Sequence, residues 1–146
     1  FMDHPTAPRG NIAEVSTWRS YVTMTAQRRA GERIGYGGAV TLDHDTVIAT
    51  VGVGYGDGLP EALAAAKAPV LIGGKRCTLL ACCMDQCLVD VTGVDCGAGD
   101  EAVFFGYDRF GNCLPSQEAA LLIGGDEGCG LTAGLSPRVV RTYLQD

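Results

Sequence analysis

The chain has little positive charge: 11 lysines and arginines stand against 17 acids, for a net charge of -6. Without a broad basic surface it is not expected to bind nucleic acid. No apolar run approaches the ~18 to 20 residues that span a bilayer, so no membrane contact is expected of this domain. The opening "FMDHPTAPRG" lacks the basic flank and apolar core of a signal peptide. Beginning at Phe1 rather than Met, it reads as cut from something longer. Histidine is scarce, and His4 and His44 are isolated from one another. The 7 cysteines contain no CxxC pair, so no metal site is expected. An odd cysteine number without a secretory signal fits small buried hydrophobes in a reducing cytosol, and a cytoplasmic location follows as the expectation. Internal repeats and low-complexity linkers are also missing.

What is present is enough for one folded domain. Of 146 residues, 47% are apolar and 19% charged, a balance that argues against disorder and allows a substantial core. Short apolar segments punctuated by glycine favour strands. The spacing predicts a strand over Val15 to Ala26 and a strand buried on both faces over Thr46 to Val53. It also predicts a hairpin of Val70–Ile72 and Lys75–Leu80 around Gly73-Gly74, a pair that supplies the positive φ angles of a tight turn. "QCLVDV" and "EAVFF" add strands, and the terminal "PRVVRTYL" is expected to be a last one. "PEALAAAK" reads as a helix with Pro60 at its start, and "SQEAALLI" as a helix with Ser116 as N-cap that ends at Gly124-Gly125. Many short strands with two or three short helices predict a mainly β fold, a small closed or nearly closed β-barrel.

Three segments are too rich in glycine or polar residues to be scaffold alone. In "RAGERIGYGGAV", Tyr36 stands among Gly35, Gly37 and Gly38. In "VGVGYGDGLP", Tyr55 and Asp57 follow directly on a buried strand. In "CCMDQC", Asp85 and Gln86 interrupt an apolar run. The glycines around Tyr36 also fit a plain turn with a half-buried ring. "GYGDG" lacks the Lys-Ser/Thr of a P-loop and the spacing of a dinucleotide fingerprint. Asp85 in apolar surroundings requires a salt bridge, another hydrogen-bond partner or a place at a cleft.

Taken in order, "AGERIGYGG … IATVGVGYGDGLP … VLIGGKRCTLLACCMDQCLVDV … GDEAVFFG … LSPRVVRTYL" resembles the C-terminal domain of alanine racemases and of the related serine racemases of vancomycin resistance. The resemblance covers about residues 15 to 144. It implies a fold-type III enzyme dependent on pyridoxal 5'-phosphate (PLP). Such enzymes carry an N-terminal (β/α)8 barrel that holds the cofactor on a lysine, followed by a β-rich domain. Residues 1–14 are then the remnant of the link to an absent barrel domain, and 15–146 the β domain. The cofactor lysine lies outside this chain.

The resemblance further implies that Tyr36 is the catalytic base for the α-proton of the L-enantiomer, acting in trans across a homodimer. Met84 would offer its backbone N–H to the substrate carboxylate. Tyr55 would line the entrance with Tyr36, and Asp85 and Asp57 would belong to the polar wall of that entrance. Arg138 matches the family pattern and reads as structural. Two departures bear on substrate choice: Pro137 stands where many relatives carry a tyrosine, and Val140 where proline is usual. Alanine is the expected substrate, with serine as the alternative and a parent then open to membrane anchoring. A catalytically idle dimerisation or regulatory barrel is the reading from another class. The domain by itself is expected to be inactive.

Overall fold

The computed structural model describes residues 14–125 and 129–144. In chain order the strands are β1 (Trp18–Arg28), β2 (Arg33–Ile34), β3 (Val40–Thr41), β4 (Thr46–Val51), β5 (Pro69–Ile72), β6 (Lys75–Cys82), β7 (Cys87–Asp90), β8 (Glu101–Tyr107) and β9 (Cys113–Leu114). The helices are α1 (Glu61–Ala65), α2 (Ser116–Leu122) and α3 (Cys129–Ala133).

An antiparallel ring runs β1-β4-β7-β6-β5-β8 and returns to β1, with β9 appended to β8. The closure depends on β1, whose 11 residues serve two neighbours. Its first part pairs with β8, from Trp18↔Phe105 to Tyr21↔Glu101, and the rest with β4, from Val22↔Val51 to Arg28↔Thr46. Register shifts at Trp18/Arg19 and Val22/Met24 bend the strand between its two partners, as bulges do at barrel corners. Closing the ring removes the exposed edges that an open sheet presents. The expected barrel is therefore found.

Alternation along the strands sorts the side chains. Val51, Val70, Leu79, Val89 and Phe105 point inward and are sealed, joined by Leu59 and Leu63 from the segment around α1. Each such side chain is worth about 1.5–3 kcal/mol of transfer free energy. Trp18 closes one region of this core, its ring 5.2 Å from Phe104 and 5.9 Å from Phe105. On the outer face, Ile48 joins Ile34 and Leu42 in a separate cluster, with Val40, Leu80 and Leu88 packed around it. This cluster fastens the short β2–β3 hairpin to the outside of the barrel.

Several boundaries differ from expectation. The first strand begins at Trp18 rather than Val15 and runs on to Arg28, because pairing with both β8 and β4 sets its ends. Gly73 and Gly74 do form the β5–β6 turn, at φ 58° and 74°. At α2 the N-cap position belongs to Pro115 and not to Ser116. Proline brings no capping side chain, and Glu14 takes over: its Oε2 accepts the Ser116 N–H at 2.8 Å and the Ser116 hydroxyl at 3.1 Å.

The terminal "PRVVRTYL" is not a strand. The barrel is already closed by β1 and β8, so no edge is open to it. Leu135 and Val139 pack on the core while Val140, Tyr143 and Leu144 stand exposed. Arg141 holds the segment's shape by donating to the Leu135 carbonyl at 3.0 Å and the Val139 carbonyl at 3.3 Å. The proposed linker remnant lies, apart from Glu14, outside the described residues, as does His4.

Candidate active site

Three loops meet at one rim of the barrel. The first joins β2 to β3 and carries Tyr36 at the start of a 3-10 turn, Tyr36–Gly38. Gly35 precedes it at φ 77°, a conformation side chains rarely adopt, and a Cβ added there would lie 3.2 Å from that of Ala81. The hairpin can therefore rest closely on β6 while the tyrosine projects away. Arg33 stiffens the loop by donating from Nε to the Gly38 carbonyl at 2.8 Å. The result is a phenol 61% exposed on an anchored hairpin, so the half-buried turn residue that the glycines also allow is not what forms.

The second loop follows β4 and makes the 3-10 turn Tyr55–Asp57. The third is the β6–β7 turn around Met84 and Asp85. These two loops are sewn together through main-chain atoms: Tyr55 N–H donates to the Cys83 carbonyl at 2.9 Å and Gly56 N–H to the Met84 carbonyl at 2.8 Å. Such an approach requires glycine at position 54, where an added Cβ would stand 2.2 Å from the Cys83 oxygen.

The structure places the Tyr36 and Tyr55 phenols close enough to influence one another. The Tyr55 hydroxyl is held above its ordinary pKa, first by desolvation, then by the charge that Tyr36 would carry, then by Glu61 and Cys83. Tyr55 thus stays protonated and can donate a hydrogen bond. Glu61 reads from sequence only as an acid in the first turn of a helix; its place beside Tyr55 follows from α1 packing on β6, which no local pattern signals.

Met84 is half exposed at the tip of the β6–β7 turn. Its carbonyl is taken by Gly56, while its N–H donates to no group among the described residues. Asp85 is exposed beside it, with no ion pair among the described residues. Among the described residues, then, Asp85 forms no salt bridge and stands at the open tip of the turn. Asp57 turns the other way. Its Oδ2 accepts the Gly54 N–H at 2.9 Å and its Oδ1 accepts Arg138 Nε at 3.0 Å. Pro137 is exposed in the irregular C-terminal segment.

A cleft of about 450 Å³ runs between the β2–β3 hairpin and α1, floored by Leu80, Ala81 and Cys82 of β6. Tyr36 and Glu61 flank it, and Asp43, His44, Lys67 and Asp90 line its polar part. His44 sits between Asp43 and Asp90, and its pKa is raised, chiefly by the hydrogen bond to Asp43. No group of three or more metal-ligating side chains occurs among the described residues. Cys77, Cys82, Cys83, Cys87, Cys96 and Cys113 are unpaired, and burial pushes the thiols of Cys77 and Cys82 up to about 11. That suits packing and not nucleophilic chemistry.

These residues do not build a PLP site by themselves. Lys75 spends its ammonium on the Gly93 carbonyl at 3.1 Å, and Lys67 lies near Asp43 at the far end of α1. Neither is a buried amine beside Tyr36. Among the described residues no helix is long and apolar enough to cross a membrane.

The family model described as "Alanine racemase, C-terminal domain" matches residues 15–143. The chain is 37% identical over 145 residues to an alanine racemase of Paracidovorax citrulli, covering 94% of this chain and 39% of that protein. It is 43% identical over 96 residues to an alanine racemase of Deinococcus deserti, covering 65% of this chain and 27% of the relative. Among solved structures, the alanine racemase of the D-cycloserine producer Streptomyces lavendulae superposes with a TM-score of 0.77 at 31% identity, over 89% of this chain and 34% of that one. The Pseudomonas aeruginosa biosynthetic alanine racemase gives 0.76 at 29% identity, over 88% and 35%. The chain thus spans roughly a third of the length of the proteins it matches.

Proposed function

The chain belongs to the alanine racemase C-terminal domain family, and from that premise we propose that it is the β domain of a PLP-dependent amino-acid racemase that supplies Tyr36 as a catalytic base. The observation that supports this reading most is the presentation of Tyr36: an exposed phenol on an anchored hairpin, beside the Tyr55 hydroxyl, whose loop bonds the turn of Met84, a residue whose N–H donates to no group among the described residues.

Racemisation removes the α-proton from one face of the amino acid and returns a proton on the other. PLP, held by a barrel domain outside this chain, supplies the electron sink when bound. The Tyr36 oxygen accepts the α-proton of the L-enantiomer and returns it to the same face in the reverse direction. A free tyrosine has a pKa near 10, so the phenolate needs a nearby cation and hydrogen-bond donors. The protonated Tyr55 is one donor, and the cation belongs to the barrel. The Met84 N–H holds the substrate carboxylate, and Tyr55 and Asp85 line the entrance. The open exposure of Tyr36 suits action in trans, in a cytoplasmic homodimer where each β domain completes the partner's site.

Alanine is the proposed substrate. An apolar pocket separates alanine from serine by only about a hundredfold, so turnover of serine as a minor substrate is compatible. The test is to express the parent protein with PLP and follow racemisation of L-Ala and L-Ser. Faster turnover of L-Ala supports the proposal, faster turnover of L-Ser selects the serine racemase, and turnover of neither leaves the idle module.

A further inference from the structure

Asp57 and Arg138 are 81 positions apart in sequence, yet they form an ion pair behind the Tyr55–Asp57 turn. The Asp57 carboxylate is 14% exposed and both of its oxygens accept hydrogen bonds. Oδ1 accepts two donors of Arg138, Nε at 3.0 Å and an Nη2 at 2.7 Å, while Oδ2 accepts the Gly54 N–H at 2.9 Å. The main chain repeats the link, because Ser136 N–H donates to the Asp57 carbonyl at 2.9 Å.

The Tyr55–Asp57 turn is therefore held from two sides. The C-terminal segment grips it through Asp57, and its opposite side bonds the Cys83 and Met84 carbonyls. Space is tight on both: a Cβ on Gly56 would lie 2.9 Å from the Met84 oxygen and 3.3 Å from Arg138 Nη1. A shift of the turn must tilt the peptide at Met84, whose N–H donates to no group among the described residues. The Tyr36 hairpin has its own anchorage, since it is fastened by Ile34, Leu42 and Ile48, and it approaches the turn through the Tyr36 phenol beside Tyr55.

We infer that Arg138, acting through Asp57, is a positioning residue for substrate binding: it fixes the Tyr55 turn and with it the direction of the Met84 N–H. The inference rests on the assignment of Met84 to the substrate carboxylate above. A lone surface ion pair contributes little, but this carboxylate takes charge-assisted bonds from a guanidinium and a main-chain donor at once, and it transmits their geometry to a binding group. Asp57 is then a strut behind the entrance and not part of its wall. A contact made equally in ground and transition states affects KM and leaves kcat almost alone.

The test uses the PLP-loaded parent enzyme. In Arg138→Ala, KM for L-Ala should rise about tenfold with kcat within about threefold, the signature of lost uniform binding. The inhibition constant of propionate, a carboxylate without an amino group, should rise by the same factor, and Arg138→Lys should fall between the two. Amide hydrogen exchange supplies a readout independent of turnover. Peptides covering residues 54–57 should lose protection in Arg138→Ala while those of the β4–β7 ladder keep theirs. Unchanged KM and exchange would overturn the inference, as would protection lost equally throughout the barrel. Local loss of protection in an enzyme that does not turn over alanine would uphold the strut and sink the racemase reading instead.

Discussion

Inside the barrel, Val51, Val70, Leu79 and Phe105 are sealed by neighbours from several strands; at the rim, Tyr36, Tyr55 and Met84 stand largely open on loops of glycine. The interior is redundant, because many side chains share the burial and any one can be trimmed at a finite cost. The rim has no such reserve. Its geometry is carried by a few polar and close contacts, such as Gly54 against Cys83 and Asp57 with Arg138. Stability and function are thereby assigned to different residues, and substitutions should separate them.

The largest effect is expected at the open phenol. Tyr36→Phe in the parent enzyme should cut alanine racemisation by about 10²–10⁴, the usual worth of a positioned general base, with the thermal midpoint unchanged. Phe105→Ala is the opposite case. Emptying a fully buried aromatic site should cost about 3–5 kcal/mol of stability, read by denaturant unfolding. Its contacts with the Trp18 ring are lost, while the rim loops keep their bonding. Equal loss of activity and stability in both variants would erase the contrast between the two regions.

Gly54→Ala should fall between them. The new methyl is driven against the Cys83 carbonyl, and overpacking of this kind costs about 1–3 kcal/mol. Because the strain is relieved by moving the β6–β7 turn, KM should rise as well, measured by steady-state kinetics beside the unfolding curve.

The smallest effect concerns His44 and Asp43. His44 has a raised pKa and Asp43 a lowered one, each chiefly through their mutual hydrogen bond. The His44 side contributes fully below its ordinary 6.5 and is lost as pH rises through the raised value. The Asp43 side contributes above its ordinary 3.8 and is lost as pH falls through the lowered value. These describe one exposed interaction, strongest between those two pH values. His44→Ala should flatten a slight stability maximum there in thermal melts across pH, with activity of the parent unaltered.

Much of this contrast was legible in the chain. The short apolar segment "QCLVDV" marks β7, and the Gly73-Gly74 pair marks the turn between β5 and β6, because those signals are local. The glycines around Tyr36 and Tyr55 also mark the rim, since only close approach or positive φ calls for so many. What escaped is non-local. Nothing in "VSTWRSYVTMTA" says that one strand will serve two neighbours, and that closure is why "PRVVRTYL" found no edge. The bonds between Glu14 and Ser116, and between Asp57 and Arg138, join residues far apart in sequence, so neither leaves a spacing to read. Glu61 joined the phenols for the same reason.

The central claim is that Tyr36 handles the proton on one face only. The most direct measurement follows loss of the α-hydrogen from L-Ala and, separately, from D-Ala in deuterated water, with PLP-loaded wild-type and Tyr36→Phe parent enzyme. The variant should lose exchange from L-Ala while retaining exchange from D-Ala, whose proton is taken by the base on the opposite face. Exchange from L-Ala at the wild-type rate in Tyr36→Phe would contradict it.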